Sequence, residues 1–466
     1  MTTTADLCYL TLHELSTRIR SREVSPVEAT EASLERIERL NPMLNSFITV
    51  TADQALEAAR AAEREIASGS YRGPLHGVPV GVKDLCQTKG VRTTAASKFL
   101  SDWLPDEDAA VVERLREAGA VIVGKTHLHE WALGATGVNP HYGPARNPWD
   151  PSRITGGSSS GSGNGVAAGL CFAAIGSDTG GSIRMPAALC GITGIKPTYG
   201  RVSLRGVVPL ATSLDHVGPM ARTVRDCAIV LEAIAGHDPA DPDSAAAPVE
   251  GWAAQLDGGI AGLRIGVPRA AFDDAEPEIT ARVREAIGTL GGLGAVVKEL
   301  DLPAIQAYWP PAAAVLLAEA AAYHRERVEQ RPQDFGDDVL LRLTSGLDIR
   351  AVDYVAAWQA MREARRTCDD ALLAEVDLLA MPTTIRTAVP IDSVSSDDPT
   401  LGLTRLTAPF NFTAQPAMSM PCGMTEQGLP VGLQLIGRRF DEATVLRAAH
   451  AFESATAFAR QRPPVD

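Results

Sequence analysis

The chain has few cysteines, and they are spaced irregularly. Seven occur among 466 residues, an odd number, and no two form a C-x-x-C pair. This pattern excludes a disulfide framework and a zinc knuckle. It favours reduced thiols in a cytoplasmic protein, and we expect no metal site.

Basic residues are in the minority, and long apolar runs are missing. Lysine and arginine number 43 against 57 acidic residues, a net charge of −14. Without a basic stripe, the sequence predicts no nucleic-acid partner. The longest apolar run, Gly165–Gly176, is too short to span a bilayer, and the N-terminus does not resemble a signal peptide. We therefore expect a cytoplasmic protein with no membrane partner.

The residues that are present have the composition and periodicity of a globular enzyme. Hydrophobic residues make up 45% and charged residues 21%. Apolar spacing predicts helices through residues 1–70, with Ser25 as an N-cap and Pro26 in the first turn. Alternation at Val78, Val80 and Val82 then predicts a strand, and strands and helices alternate to the end. This order is typical of a layered α/β fold.

Two segments rich in glycine and serine contain candidate functional residues. Thr155–Gly165 reads TGGSSSGSGNG and leads directly into an apolar stretch, unlike a flexible linker, which is the alternative. Asp178–Pro186 reads DTGGSIRMP, and its two glycines let the backbone turn beside Ser182. Such a turn exposes the hydroxyl and directs successive N–H groups to one point, as in an oxyanion hole. A tight turn capped by serine is the alternative.

Lys83 ends the strand-like segment GVPVGVKD. A lysine in this position usually extends to the surface. A buried lysine, however, has a lowered pKa and serves as a base near neutrality.

These three segments together resemble the amidase signature family. Ser158 and Ser182 are 24 residues apart, the spacing of the family's GGSSGGS and DTGGSIR motifs, and Lys83 lies in the matching strand. Further segments match as well, namely ITGIKPTY at 192–199, SLDHV at 213–217 and the glycine-rich stretch 421–437. The likeness covers nearly the whole chain.

The resemblance implies a mechanism. Ser182 would attack the carbonyl, and Ser158, preceded by a cis peptide in this family, would relay the proton to neutral Lys83. Water would then cleave the acyl-enzyme. The implied oxyanion hole consists of the backbone N–H groups of Thr179, Gly180, Gly181 and Ser182. The implied supporting residues are Ser159, Asp178 and Arg184. The loop departs from the family at Ser160, which replaces a glycine and would be strained if φ were positive there.

Two further motifs point to different chemistry, but their surroundings do not support it. Gly119–Thr126 reads GAVIVGKT and fits a nucleotide-binding P-loop, but a helix precedes it and its middle residues form a strand. His127, His129 and Glu130 suggest a metal site, yet no further ligand has a convincing spacing. We therefore expect no cofactor and no metal.

The resemblance implies an amidohydrolase acting on linear amides or related C–N bonds other than peptide bonds. The sequence does not choose among aryl amides, carbamates and urethanes as substrates. We expect a small-molecule amide or carbamate substrate, no nucleic acid, and a monomer or homodimer. The alternative is the glutamine-hydrolysing amidase subunit of a tRNA-dependent amidotransferase. Leu401–Gln415 lacks the tyrosine and aspartate with which that subunit typically holds glutamine, which favours a free-standing enzyme.

The implied architecture is α/β, a large mixed twisted sheet sandwiched between helices. We expect one amidase domain over residues 1–466. Its predicted parts are N-terminal helices at 1–70, a catalytic core at 71–237, a linker or surface loop at 238–262, and the remaining sheet and pocket elements at 263–466.

Overall fold

The computed structural model describes residues 4–395 and 401–465. The α-helices are α1 Thr4–Cys8, α2 Leu12–Ser21, α3 Pro26–Leu44, α4 Ala52–Ala67, α5 Ala110–Glu117, α6 Ser160–Ala167, α7 Arg184–Cys190, α8 Val224–Ile234, α9 Pro277–Gly292, α10 Ala304–Ala307, α11 Trp309–Gln330, α12 Asp337–Leu347, α13 Ala351–Leu373, α14 Pro409–Phe412 and α15 Glu442–Ser454. The strands are β1 Phe47–Val50, β2 Pro79–Lys83, β3 Val121–Thr126, β4 Arg146–Asn147, β5 Asp150–Ile154, β6 Ala173–Ser177, β7 Thr193–Lys196, β8 Val217–Ala221, β9 Arg264–Pro268, β10 Val296–Leu300, β11 Leu378–Pro382, β12 Ala417–Met424 and β13 Pro430–Ile436.

One large mixed sheet organises the described chain. Eleven strands form it in the order β1-β3-β2-β6-β8-β7-β12-β13-β11-β9-β10, while β4 and β5 pair separately. Strand β2 runs parallel to β3 and β6, and β9 runs parallel to β10 and β11. The other neighbours in the sheet are antiparallel. This confirms the predicted mixed α/β architecture.

Helices cover both faces of this sheet. Along β3, Ile122 belongs to one buried cluster, while Val121 and Val123 belong to another. Successive side chains of a strand point to opposite faces, so the two clusters lie on opposite sides. The first cluster includes residues of α2, α5 and α8, and the second includes residues of α3, α4, α6 and α7.

The N-terminal region is mainly helical, as expected, but it also contains a strand. Ser25 caps α3 through a hydrogen bond from the Glu28 N–H, and the Glu28 side chain accepts from the Ser25 N–H. Strand β1 was not predicted. This four-residue strand pairs antiparallel with β3 at the sheet edge, so it depends on a partner that is distant in sequence.

Strands from both sides of residues 238–262 enter the same sheet, β1–β3 and β6–β8 before the segment and β9–β13 after it. Within the segment, Trp252 is buried and stacks under the Arg201 guanidinium. Among the helices of the described residues, none has the length and apolar character needed to cross a membrane.

The strand order positions the candidate site. Because β2 and β6 are parallel neighbours, their carboxyl ends lie at the same edge of the sheet. Lys83 is the last residue of β2, and Ser177 is the last residue of β6. The segment containing Ser182 follows directly. Residues that are nearly a hundred positions apart therefore meet at one edge.

Candidate active site

Lys83 is fully buried at this edge and donates to three hydroxyl groups. Its Nζ lies 2.7 Å from Ser158 Oγ, 2.9 Å from Ser159 Oγ and 2.8 Å from Ser177 Oγ. These are all neutral partners, and no carboxylate is among them. Because a hydroxyl group can both accept and donate a hydrogen bond, these three partners can bind Lys83 as an ammonium or as a free amine.

Burial lowers the pKa of Lys83 to about 7, and more distant charges on Asp178 and Asp215 only partly oppose this effect. The cause is the loss of water around the ammonium, which penalises the charged form. At neutral pH about half of the lysine is then the free amine, the form that accepts a proton.

Ser159 orients the amine. Its hydroxyl donates to the Ser177 carbonyl oxygen at 3.1 Å, so its oxygen is left to accept a hydrogen from Lys83. The same oxygen also accepts from the Ser177 N–H at 3.2 Å. One N–H bond of neutral Lys83 is thereby directed to Ser159, which leaves the nitrogen lone pair available toward another hydroxyl.

The loop before α6 brings Ser158 and Ser182 together. The Gly157–Ser158 peptide bond is cis. The Ser159 N–H donates to the Ser182 carbonyl oxygen at 3.1 Å, and the Ser158 carbonyl oxygen accepts from the His129 N–H at 3.1 Å. The structure therefore brings together the three segments that contain Lys83, Ser158 and Ser182, with Lys83 hydrogen-bonded to Ser158 and the neighbouring Ser159 hydrogen-bonded to Ser182.

Glycine is required at position 181 in the turn before Ser182. Gly181 has φ +131°, and an added Cβ would lie 2.2 Å from Thr407 Oγ1. Its N–H donates to Asp178 Oδ1 at 2.8 Å. Of the four N–H groups considered for the oxyanion hole, this one is therefore already bound within the protein.

Asp178 and Arg184 form a buried ion pair beneath the turn. The Arg184 Nη2 and Nε donate to the two carboxylate oxygens at 2.9 and 3.0 Å, and both side chains are fully buried. Burial alone would raise the pKa of Asp178, but the Arg184 guanidinium outweighs burial and holds that pKa well below its usual range. Asn411 Nδ2 also donates to Asp178 Oδ1 at 2.8 Å. The carboxylate thus stays charged and fixes the turn.

Replacing Arg184 with methionine is expected to lower the free energy of unfolding by about 3–5 kcal/mol, because Asp178 would remain buried without its counter-ion. The measurement is urea unfolding followed by circular dichroism. Arg264→Met is the control, since it breaks an ion pair with Asp377 at the surface. The Arg264 side chain is 50% exposed. That change should cost much less stability, because water screens an exposed ion pair. Equal losses in the two variants would contradict the structural role of the buried pair.

Ser160 is accommodated without strain. It begins helix α6, where φ is negative, so the departure from glycine has no conformational cost. Its hydroxyl donates to the Gly156 carbonyl oxygen at 3.0 Å. The serine adds a hydrogen bond within the loop.

A pocket of about 260 Å³ opens onto Ser182. Thr179 and Gly180 also line it, whereas Gly181 does not. Its walls are mostly apolar, formed by Ala132, Leu133, Met185, Leu210, Leu214, Trp309, Ala312, Ala313, Leu316, Leu317 and Ala408. A small acyl group fits such a volume.

Arg342 is the charged residue of this pocket, and its role was not predicted from the sequence. Its Nη1 donates to the Leu133 carbonyl oxygen. The same nitrogen also donates to Asp338 Oδ2, at a distance of 3.1 Å. Its Nη2 is buried and has no hydrogen-bond partner. An unpartnered buried guanidinium nitrogen is costly, so an anionic ligand group is expected to bind there. Ser177 was missed as well, because a serine ending an apolar strand has no distinctive sequence signal.

The P-loop-like and histidine motifs have structural roles. Lys125, the P-loop-like lysine, is buried in β3 and donates to the Cys86 carbonyl oxygen at 2.6 Å and to Thr93 Oγ1 at 2.7 Å. His129 Nε2 contacts Asp338 Oδ2 at 2.9 Å, and Glu130 accepts from Ser97 Oγ at 2.7 Å. The contact between His129 and Asp338 ties the pocket wall to α12.

Comparison with known sequences adds a close relative. A Moorella thermoacetica protein, named as one of the subunits of glutamyl-tRNA(Gln) amidotransferase, is 46% identical over 98% of this chain and 99% of its own length. This name contradicts the predicted partners. The expectation of a partner set limited to a small-molecule amide or carbamate substrate, with no nucleic acid and a monomer or homodimer, is wrong. The exclusion of nucleic acid relied on net charge, which averages over the surface and does not report which partners a protein assembles with.

Solved structures share the complete fold. One, described as a vestigial protein complex that reveals the origins of an s-triazine catabolic enzyme, has a TM-score of 0.91 and 36% identity over 96% of this chain and 98% of its own. The peptide amidase from Stenotrophomonas maltophilia has a TM-score of 0.84 and 35% identity over 98% of each chain. The family model described as Amidase matches residues 28–446. This chain therefore belongs to the amidase signature family of hydrolases.

Proposed function

We propose that this chain is the glutamine-hydrolysing amidase subunit of a tRNA-dependent amidotransferase. The observation that carries the proposal is Arg342, which lines the pocket that opens onto Ser182 and whose Nη2 has no hydrogen-bond partner. Glutamine has a carboxylate for this guanidinium and a carboxamide for the serine. The 46% identity to a protein named as an amidotransferase component supports the same assignment.

The proposed reaction begins with proton transfer and attack. Ser158 accepts the Ser182 proton as its own proton passes to neutral Lys83, and Ser182 Oγ bonds to the carboxamide carbon. We propose the N–H groups of Thr179, Gly180 and Ser182 as oxyanion donors, because that of Gly181 is bound by Asp178. Each donor typically contributes ~3–4 kcal/mol to transition-state stabilisation.

Collapse of the tetrahedral intermediate breaks the C–N bond. Lys83 returns its proton through Ser158 to the nitrogen, which leaves as ammonia, and Ser182 retains the acyl group as an ester. Water then attacks this ester with the same residues acting as base, which releases glutamate and restores Ser182. The ammonia would serve a partner that amidates glutamyl-tRNA.

The test is ammonia release from L-glutamine by the purified chain, alone and with the other amidotransferase subunits and glutamyl-tRNA. We expect glutamine turnover that requires Ser182. Hydrolysis of aryl amides or aryl carbamates without any glutamine turnover in either condition would contradict the proposal.

Replacing Arg342 with leucine is expected to lower kcat/KM for glutamine by ~10- to 150-fold, mainly through KM, because a hydrogen bond to a charged group contributes ~1.5–3 kcal/mol. Butanamide is the control substrate, since it has the carboxamide but no carboxylate. Its hydrolysis should change little. An equal loss for both substrates would show that Arg342 supports the pocket wall and does not bind the carboxylate.

One observation favours a second candidate substrate for the same chemistry. Among the described residues that line the pocket, Arg342 alone carries a charge, so no carboxylate there faces the ammonium of glutamine. Glutaramate, which is glutamine without its amino group, would avoid burying that ammonium. A higher kcat/KM for glutaramate than for glutamine would support the second candidate.

A further inference from the structure

Asp215 lies between β7 and β8 and is almost fully buried beside the nucleophile turn. Its Oδ1 accepts from Thr179 Oγ1 at 2.5 Å. Its Oδ2 accepts from the Leu210 N–H at 2.9 Å and the Ala211 N–H at 3.2 Å. One carboxylate therefore joins the turn to a second segment.

The two joined segments line the same pocket. Thr179 precedes Ser182 and is one of the proposed oxyanion donors, while Leu210 and Leu214 form part of the apolar wall. Beside this contact, the Asp178 N–H donates to the His216 carbonyl oxygen at 2.8 Å, and the His216 N–H donates to the Asp178 carbonyl oxygen at 3.1 Å. The segment before Ser182 is thus held against residues 215 and 216 by two backbone hydrogen bonds and one side-chain hydrogen bond.

We infer that Asp215 is a positioning residue, whose ionised carboxylate holds Thr179 and the 210–214 wall in the geometry that stabilises the oxyanion. It does not touch the reacting atoms. The inference rests on the proposed acyl transfer at Ser182, but it does not depend on which amide is hydrolysed. The Asp215 carboxylate accepts the hydrogen bonds from Thr179, Leu210 and Ala211, and protonation removes part of its capacity to accept. We therefore expect the turn before Ser182 to become less ordered when Asp215 is protonated.

The pH at which Asp215 takes up a proton depends on its burial and on the charges around it. Burial raises the pKa of Asp215 to about 6, against the hydrogen bonds that lower it, and Glu319 on α11 adds to the rise. Lys83 on β2 and Tyr199 after β7 also interact with its charge. Asp178, on the adjoining turn, is neutralised by Arg184. Asp215 is therefore ionised above pH 6 and becomes protonated as the pH falls below it.

The experiment measures inactivation by an alkyl fluorophosphonate, which needs no knowledge of the natural substrate. Ser182 Oγ bonds to phosphorus, the P–F bond breaks and fluoride leaves, and the serine proton passes through Ser158 to Lys83. The phosphoryl oxygen occupies the oxyanion site. The rate constant is followed from pH 5 to pH 9 for the wild type and for Asp215→Asn, with urea unfolding as a check of folding.

We expect Asp215→Asn to react about 10- to 100-fold more slowly at pH 8, less than the 10²–10³ typical of deleting an oxyanion donor. Between pH 6 and pH 5 the slope of the wild-type log rate should exceed about one unit per pH unit and approach about two, because Lys83 and Asp215 both take up protons. The log rate of the Asp215→Asn variant should fall by about one unit per pH unit, since only Lys83 then takes up a proton. A role in stability alone would not change this slope.

Asp226→Asn is the matched control. Asp226 is also fully buried, burial raises its pKa to about 6, and it accepts from the Leu12 and His13 N–H groups at 3.1 and 3.0 Å, where it supports α2. The Asp226→Asn substitution should lower the stability of the protein and leave the pH profile of the inactivation rate unchanged. A folded Asp215→Asn with the wild-type rate and slope, or an equal slowing in Asp226→Asn, would overturn the inference. A wild type that the reagent does not label at Ser182 would overturn the proposed function instead.

Discussion

Replacing Ser182 with alanine is expected to reduce hydrolysis by at least about 10⁴-fold, because no acyl-enzyme can then form. Ser182 is 6% exposed and lines the pocket, so its hydroxyl is accessible to a substrate in an otherwise buried region. The measurement is steady-state ammonia release, together with intact-protein mass spectrometry after fluorophosphonate treatment. The wild type should gain one adduct, and the variant none.

Ser162→Ala is the control for this change. Ser162 is a buried serine of α6 whose hydroxyl contacts Thr126 Oγ1 at 2.8 Å and the Ile175 carbonyl oxygen at 2.9 Å, and it is not among the three hydroxyl partners of Lys83. We expect it to lose about 1 kcal/mol of stability, as for one buried hydrogen bond, and to retain activity. If Ser182→Ala kept turnover close to wild type, the nucleophile would have to be another residue.

Replacing Lys83 with methionine is expected to lower kcat at pH 7.5 by about 10³-fold, within the range of 10²–10⁴ for loss of a general base. In the wild type, activity should rise with pH and level off above pH 7, because the pKa of Lys83 is about 7 and the free amine is the reactive form. The variant should lack this transition. The measurement is the pH profile of kcat for both proteins.

Stability provides an independent check on Lys83. Its pKa is lowered from an ordinary 10.5, so between pH 7 and pH 10 the unfolded chain binds a proton that the folded chain does not. Wild-type stability should therefore gain from this group as pH rises through that range, and Lys83→Met should lack the gain. Urea unfolding at several pH values measures both.

Lys196→Met is the control for Lys83. Lys196 is equally buried, and its Nζ donates to the carbonyl oxygens of Pro197 and Gln415 at 3.1 and 2.5 Å, with no contact to the three serines. Its variant should keep the transition near pH 7. A Lys83→Met enzyme that retained the wild-type profile would rule out the lysine as base.

Local sequence predicted the glycine turn before Ser182 and the layered α/β class. The DTGGSIR segment needs glycine at 181, where φ is positive and Thr407 approaches closely, and this requirement leaves a visible pattern in the chain. Alternation along Val78, Val80 and Val82 predicted β2, Pro79–Lys83, although all five residues of this strand are buried. The Ser25-Pro26 start of α3 is equally local, since a capping box spans four residues.

Contacts between distant segments were not predictable in this way. Arg342 lies 160 positions after Ser182, on a helix whose sequence resembles that of any amphipathic surface helix. Only the packing of α12 against the Leu133 and His129 segment buries its guanidinium in the pocket. Asp215 was recognised only as part of a matching motif, because its hydrogen bonds to Thr179 and Leu210 form across a loop closure.

The sequence by itself determined which groups can do the chemistry, because glycine turns, caps and strand alternation are set by a few neighbouring residues. The tertiary structure alone decided the sheet order, the edge strand β1, the lowered pKa of Lys83 and the charge in the pocket. The first two depend on strand pairing and the last two on burial, and both are set by segments that come from elsewhere in the chain.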